Sequence, residues 1–449
     1  MHLVSQLLFA LFFSAGVYLF SKRVRAIRRN VLLGKDDGAR TDRPMRRFKQ
    51  MALFALGQKK LFKRPVPALL HLLIYVGFIL INIELIEIVA DGLLGKHRVL
   101  APLLGPAYAY FIGFFEILAL GVILSCVSFL WRRNVVKVNR FHKREMKGWP
   151  SLDANLILVI EIALVGSFLL MNAADLQLQS AGKEGYVPTG PFVVSSLVSP
   201  LFSGVSDSTL VAIERGLWWF HILGILFFLN YVTYSKHLHI MMAFPNTFYG
   251  DLDTAAGKMK NMPEVQAEVA LMMDPEGAFS ANAAPPPERF GAQDVGDLSW
   301  KNILDAYSCT ECGRCTAVCP ANKTGKLLSP RKIMMDTRDR AEVLGRAHDR
   351  HGPGHHDGKH LLGNYISQEE LLACTTCNAC VEECPVNINP LDIILQMRRH
   401  LVMDQAQAPA EWNSMFSNVE NNMAPWAFPA SDRFAWANNI PTANQNKNA

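Results

Sequence analysis

The sequence predicts a mainly α protein in two parts: a five-helix transmembrane bundle, then a compact helical domain built around cysteines. Three observations predict this. Five apolar runs, near residues 3–20, 67–90, 106–131, 153–173 and 213–235, all lie in the first half of the chain. Each, at about 20 residues, is long enough to cross a hydrocarbon core. The second half carries the run C-x2-C-x2-C-x3-C-P twice, at Cys309, Cys312, Cys315, Cys319 and Pro320, and again at Cys374, Cys377, Cys380, Cys384 and Pro385. Lys and Arg are also segregated. Residues 22–64 hold 15 against three acids and residues 132–149 hold seven against one, whereas from residue 240 onward 18 bases face 25 acids.

The cysteine spacing sets the chemistry. Three thiolates on one short turn can cap three irons of a four-iron, four-sulfide cubane, and a fourth, turned away by its proline, reaches a second cubane; bacterial ferredoxins use this spacing. By that logic Cys309, Cys312, Cys315 and Cys384 hold one [4Fe-4S] cluster, and Cys374, Cys377, Cys380 and Cys319 the other. Disulfides or zinc compete poorly with two identical runs that each end in Pro. Eight of nine Cys are used, so no disulfide framework is left, and a reducing compartment is implied. Cys126, in an apolar run, reads as a small buried residue.

The first run is preceded by no charge and followed by SKRVRAIRR. A signal peptide has the opposite order, so this is an uncleaved span. The two basic blocks follow the first and third spans, while loops 91–105 and 174–212 contain only Lys96, Arg98 and Lys183. The positive-inside rule then puts the N-terminus outside a bacterial-type inner membrane and the cluster domain in the cytoplasm. Basic blocks beside spans read as topology, and no base-stacking motif accompanies them, so nucleic acid is not an expected partner. Loop 174–212, rich in Pro, Gly and aromatics, reads as an interfacial lid on the outer face.

Histidine within a span is costly and marks function. His71 lies one turn inside the second span; His221 lies in the fifth, and His237 and His239 close its cytoplasmic end. On one continuous helix, His221 and His239 would share a face about 27 Å apart, with His237 pointing away. Five helices with such histidines on the second and fifth resemble the cytochrome b (gamma) subunit of respiratory nitrate reductase. They also resemble the membrane cytochrome of heterodisulfide reductase. That resemblance implies haem b. The family carries two His on its second helix; this chain keeps His71 and has Leu61, Ile81 and Asn82 where another would fall. Depth pairs His71 with His239, or with His237, around one haem. Two haems, or histidines used only in packing, stay open. His221 is then left for a quinone head group, with Glu84 or Glu116 exchanging its protons; Glu87 and Glu161 are further intramembrane carboxyls. Each carboxyl alone is equally readable as interface packing.

The expected domains are 1–240 (membrane cytochrome b-like), 241–299 (linker, with three prolines at 285–287), 300–404 (two-cluster ferredoxin-like) and 405–449 (tail). The 54 residues between the cysteine motifs contain a helix, SPRKIMMDTRDRAEVLG, and a loop bearing His348, His351, His355, His356 and His360. That loop reads as solvated more readily than as a metal site. Helix-bounded double motifs of this type resemble the double-cluster iron–sulfur subunit of heterodisulfide reductase and the cluster domains of succinate and anaerobic glycerol-3-phosphate dehydrogenases. The aromatic tail at 411–436 is similar to the segment leading into a CCG-type cysteine domain in membrane-bound iron–sulfur oxidoreductases. That likeness implies a separate CCG-type or flavoprotein subunit, for which the tail is a docking strap or, equally, a strap on its own domain.

The expected function is therefore a membrane electron-transfer subunit of a respiratory oxidoreductase, linking a cytoplasmic partner, two cubanes, haem b and quinone. A redox sensor or a bare cluster-bearing anchor, without haem or quinone chemistry, is the alternative. No strand–GxGxxG–helix pattern occurs, so NAD or FAD would sit on the partner. Lactate, glycerol phosphate, acyl-CoA-linked flavoproteins and sulfur donors all stay compatible as the source of electrons, and the direction of flow is not encoded.

Overall fold

The computed structural model describes residues 2–38, 40–253, 259–273 and 289–440. The prolines at 285–287 and the chain end from 441 lie outside the described residues. Contacts divide the chain into two units, Met1–Lys260 with Asp294–Ile394, and Asn261–Gln293 with Leu395–Ala449. The membrane helices and the cysteine domain share the first unit. The second contains helices Pro263–Met273 and Ala410–Asn422 and a short helical turn at Ala430–Asn439, and its Trp426, Phe428, Phe434 and Trp436 are exposed.

Among the described residues, five helices are long and apolar enough to span a bilayer: α1 (His2–Val31), then, after a short α2 (Pro44–Met51), α3 (Pro65–Leu94), α4 (Ala107–Asn134), α5 (Trp149–Ser180) and α6 (Asp207–Val232). Each is longer than its apolar run because its ends are set by local chemistry. Pro65 opens α3 after extended Arg64, and Gly95, in the left-handed region, closes it. Ser206 caps α6 by accepting from the Thr209 N–H. Lateral apolar residues such as Leu7, Leu11, Ile86 and Phe227 are more than 60% exposed. A water-facing surface would not tolerate so many, so this is a membrane protein with its sides open to lipid.

The bundle interior at the end away from the cysteines is packed by Phe9, Ile112, Phe115, Phe168, Trp218 and Ile222. Gly92 lets α1 approach, since a Cβ there would lie 2.6 Å from the Phe9 ring. Above this core Arg98 is buried and donates to Asp175 (2.6 Å), Asn172 (2.8 Å) and the Tyr108 hydroxyl (3.0 Å). Tyr108 in turn donates to Glu87 at 2.8 Å.

The fifth span does not run on to His239. α6 ends at Val232; Thr233 folds its hydroxyl back to the Asn230 carbonyl, and extended Ser235 caps a short turn at Lys236–Leu238. Asp153 of α5 holds the break by accepting from the Tyr231 hydroxyl and the Lys236 N–H. His239 instead opens a separate helix, α7 (His239–Phe248), most of it within the stretch expected to be a linker. The shared face of His221 and His239, and its five-turn spacing, therefore do not exist.

The cysteine domain is framed by α8 (Trp300–Tyr307), α9 (Pro330–His351) and α10 (Pro390–Arg399). It packs directly on one end of the bundle. Among the described residues there are no strands, only isolated bridges, one of which joins Lys35 to Ser299. Gly34 is required beside it, since a Cβ would sit 2.5 Å from the Trp300 nitrogen. The ion pairs across this junction mostly put the base on the membrane half: Arg23–Glu342 (2.7 Å), Lys63–Glu382 (2.7 Å), Arg64–Glu383 (3.1 Å) and Lys236–Glu311. Arg331, fully buried, reverses the pattern by reaching Glu145 at 2.6 Å and the Arg140 carbonyl at 2.7 Å.

Breaking the Arg98–Asp175 pair from one side leaves a buried charge uncompensated. Arg98→Met is expected to cost about 3–5 kcal/mol, read as a lowered Tm in detergent. The double variant Arg98→Met/Asp175→Asn should recover part of that loss.

Candidate functional site

The two cysteine loops adopt the same backbone. In the first, Glu311 and Gly313 flank Cys312 at φ 54° and 70°; in the second, Thr376 and Asn378 flank Cys377 at φ 56° and 58°. Paired left-handed residues on either side of the middle cysteine wind each loop outward around its three sulfurs, and Asn is one of the few side chains that tolerates this. A single helical turn follows in each repeat, Arg314–Val318 and Ala379–Glu383, leading to Cys319–Pro320 and Cys384–Pro385.

The fourth cysteine crosses over. Cys319 lines one cavity together with Cys374, Cys377 and Cys380. Cys384 lies within electrostatic reach of Cys309, Cys312 and Cys315. All nine cysteines are free. Among the described residues no three His, Cys, Asp or Glu close on a single metal ion. The Thr376 N–H points at Cys374 Sγ (3.4 Å) and the Ile388 N–H at Cys384 Sγ (3.3 Å), donors that favour charged sulfur. Burial pushes the thiols of Cys309, Cys380 and Cys384 up to about 12, so the positive charge of iron is what would keep them as thiolates. The residues fit two cubanes.

Glu311, inside the first loop, is held by Lys236 and by Arg338 (2.9 Å). Burial raises its carboxyl, but these two cations outweigh burial and leave it below the usual carboxylate range. Cys126 is fully buried in the bundle.

The histidines meet at the same end of the bundle. His71 and His239 have ring centroids 6.4 Å apart, and His237 and His239 lie 5.5 Å apart. His71 Nδ1 contacts Gln58 Oε1 at 3.2 Å, and His239 Nδ1 contacts the Lys236 carbonyl at 3.0 Å. Each therefore donates from Nδ1 and keeps the Nε2 lone pair for another partner. Two neighbouring imidazoles with Nε2 left for a further partner are the donors a haem iron would take, so His71 and His239 are the residues that would hold one. Burial, with His239 and His71 nearby, lowers His237 to about 3, and burial also lowers His239. Both are neutral imidazoles, the form that ligates metal. His237 Nε2 lies 3.7 Å from Glu161 Oε1, and both atoms are buried without a hydrogen-bond partner.

His221 is elsewhere, with Nδ1 between the Leu164 carbonyl (2.9 Å) and the Ser167 hydroxyl (3.1 Å). Glu116 shares none of these partners. It accepts from the Val194 N–H (2.8 Å), the Ser195 N–H (3.0 Å) and Asn172 (3.1 Å), pinning loop 174–212 to the bundle. Glu84 is buried with Oε2 unpartnered, and Glu87 accepts from Tyr108 and the Leu100 N–H. Of the histidine-rich loop, His348 and His351 belong to α9, and the His351 and His355 rings lie 4.4 Å apart. Gln58 was not legible in the sequence: it belongs to no motif, and its contact with His71 depends on a left-handed backbone, φ 49°.

Residues 308–388 match the 4Fe-4S dicluster domain family. That places an iron–sulfur electron-transfer domain in this chain. The whole chain is similar to a probable iron–sulfur-binding oxidoreductase of Bacillus subtilis, with 28% identity over 98% of this chain and 62% of that protein. It is also similar to the EtfAB:quinone oxidoreductase of Syntrophomonas wolfei, with 26% identity over 90% of this chain and 56% of that protein. A subunit of a CoB–CoM heterodisulfide reductase of Methanosarcina acetivorans is 36% identical over 24% of this chain and 52% of its own length. The chain thus spans less than two thirds of the first two relatives. No solved structure matches it.

Iron and acid-labile sulfide analysis checks the loop geometry. Gly313→Ala should lose iron, since its Cβ would lie 2.4 Å from Arg331 Nη1, whereas Asn378→Gly and Cys126→Ser should keep it.

Proposed function

We propose that this chain is the membrane electron-transfer part of a quinone-linked oxidoreductase. Electrons pass between a soluble redox partner and membrane quinone through two [4Fe-4S] clusters and one haem b. Cys309, Cys312, Cys315 and Cys384 hold one cluster, and Cys319, Cys374, Cys377 and Cys380 the other. His71 and His239 ligate the haem. The observation that carries this reading is the proximity of those two imidazoles, 6.4 Å between ring centroids and drawn from separate segments, at the end of the bundle where the cysteine loops dock.

Haem b supplies one-electron transfer when bound; the chain supplies its two nitrogens and their fixed tautomers. A quinone takes up two electrons and two protons. Glu161 Oε1 and His237 Nε2, 3.7 Å apart and each buried without a hydrogen bond, hold protons near that step, and Glu84 is a second buried carboxyl with an oxygen lacking a hydrogen bond. Glu116 is already fully occupied, which leaves His221 with Glu84 as what remains of a site toward the far side. The names of the relatives support this reading: one is an EtfAB:quinone oxidoreductase, and we carry both its EtfAB partner and its quinone to this chain as proposals. The arrangement of bases beside spans supports a cytoplasmic cluster domain and an outside N-terminus.

A pyridine haemochrome assay on the purified protein tests it. Haem is expected in the unmodified chain, lost in His71→Ala and in His239→Ala, and kept in His221→Ala. A chain that carries iron–sulfur clusters but no haem would sink the haem step.

A further inference from the structure

We infer that Gln58 is a positioning residue that sets the tautomer of His71 and the redox potential of the proposed haem. The inference rests on the haem reading above and goes beyond it, because it assigns a role to a residue outside any ligand set.

Three observations converge on this side chain. Gln58 is 6% exposed, although it lies in the chain between α2 and α3, where a polar residue could face solvent or lipid headgroups. Its backbone is left-handed at φ 49°, an uncommon state for a residue that is not Gly, Asn or Asp. The consequence of that backbone is that the amide faces His71, with Oε1 3.2 Å from Nδ1. An amide oxygen accepts only, so Nδ1 carries the proton and Nε2 is free to bind iron. His239 gets the same treatment from a backbone carbonyl; His71 gets it from a side chain that substitution can change.

The same turn also touches both cysteine loops. The Lys60 carbonyl accepts from Arg314 at 3.5 Å, and Lys60 Nζ approaches the Val381 carbonyl at 3.5 Å. Arg314 precedes Cys315 and Val381 follows Cys380. Gln58 thus lies two residues before a lysine that contacts both cluster loops.

An acceptor on Nδ1–H makes the imidazole a stronger donor to iron and favours the oxidised haem. Gln58→Glu strengthens the acceptor and should lower the haem midpoint potential. Gln58→Asn, which keeps a side chain suited to the left-handed backbone but falls short of His71, should raise it. A shift of about tenfold in the reduced-to-oxidised ratio, 59 mV for one electron, is expected in each direction by optical redox titration of the whole protein in detergent. Haem lost from Gln58→Asn but kept in Gln58→Glu would also support the role. Unchanged potentials in both variants, shifts of the opposite sign, or haem lost from both would overturn it. Absence of haem from the unmodified protein would be a failure of the functional reading instead, seen before any variant is made.

Discussion

The structure depends on how charge is matched where the cysteine domain meets the bundle. Arg23, the adjacent Lys63 and Arg64, and Lys236 come from three places around the membrane helices and meet Glu342, Glu382, Glu383 and Glu311. The Lys236–Glu311 side chains are nearly inaccessible, and Arg331 is wholly so. Charges taken out of water tolerate little misalignment, because a displaced partner leaves the other uncompensated. Such pairs contribute modestly to stability but strongly to register. They bring the first cysteine loop, through Glu311, onto the turn after α6, and the second, through Glu382 and Glu383, onto the turn before α3.

The two cysteine loops show how one backbone solution is met by different residues. The position after the middle cysteine must be left-handed in both. In the first repeat only glycine serves, because the Arg331 guanidinium occupies the space a Cβ would take. In the second, Asn378 takes the same left-handed backbone. The asymmetry arises because the first loop faces Arg331 and the bundle behind it.

Much of this was legible in the sequence, because it is local. The spans follow from runs of apolar residues, and the cysteine loops from spacing within a dozen residues. What was not legible depends on partners far along the chain. The break after Val232 is held by Asp153, about eighty residues earlier, so periodicity alone carried the helix through to His239 and assigned His237 and His239 to opposite faces. The basic blocks were read as topology signals, whereas Arg23, Lys63 and Arg64 also pair with the cysteine domain's acids, which no hydropathy pattern reveals. Glu116 read as a proton carrier; its bonds to Val194, Ser195 and Asn172 depend on where loop 174–212 folds back.

The break after α6 has one more consequence. His71 is rooted in a membrane helix, but His239 opens α7, and α7 is anchored to the other half: Asn246 donates to the Val386 carbonyl and accepts from Lys301, and Ser308 donates to the Met242 carbonyl. The two imidazoles are therefore held near each other by contacts that α7 makes to the cysteine domain. A chain inserted in the bilayer but lacking its clusters would present His71 alone. For the proposed haem, maturation would then follow a fixed order, with the inorganic clusters inserted before the porphyrin.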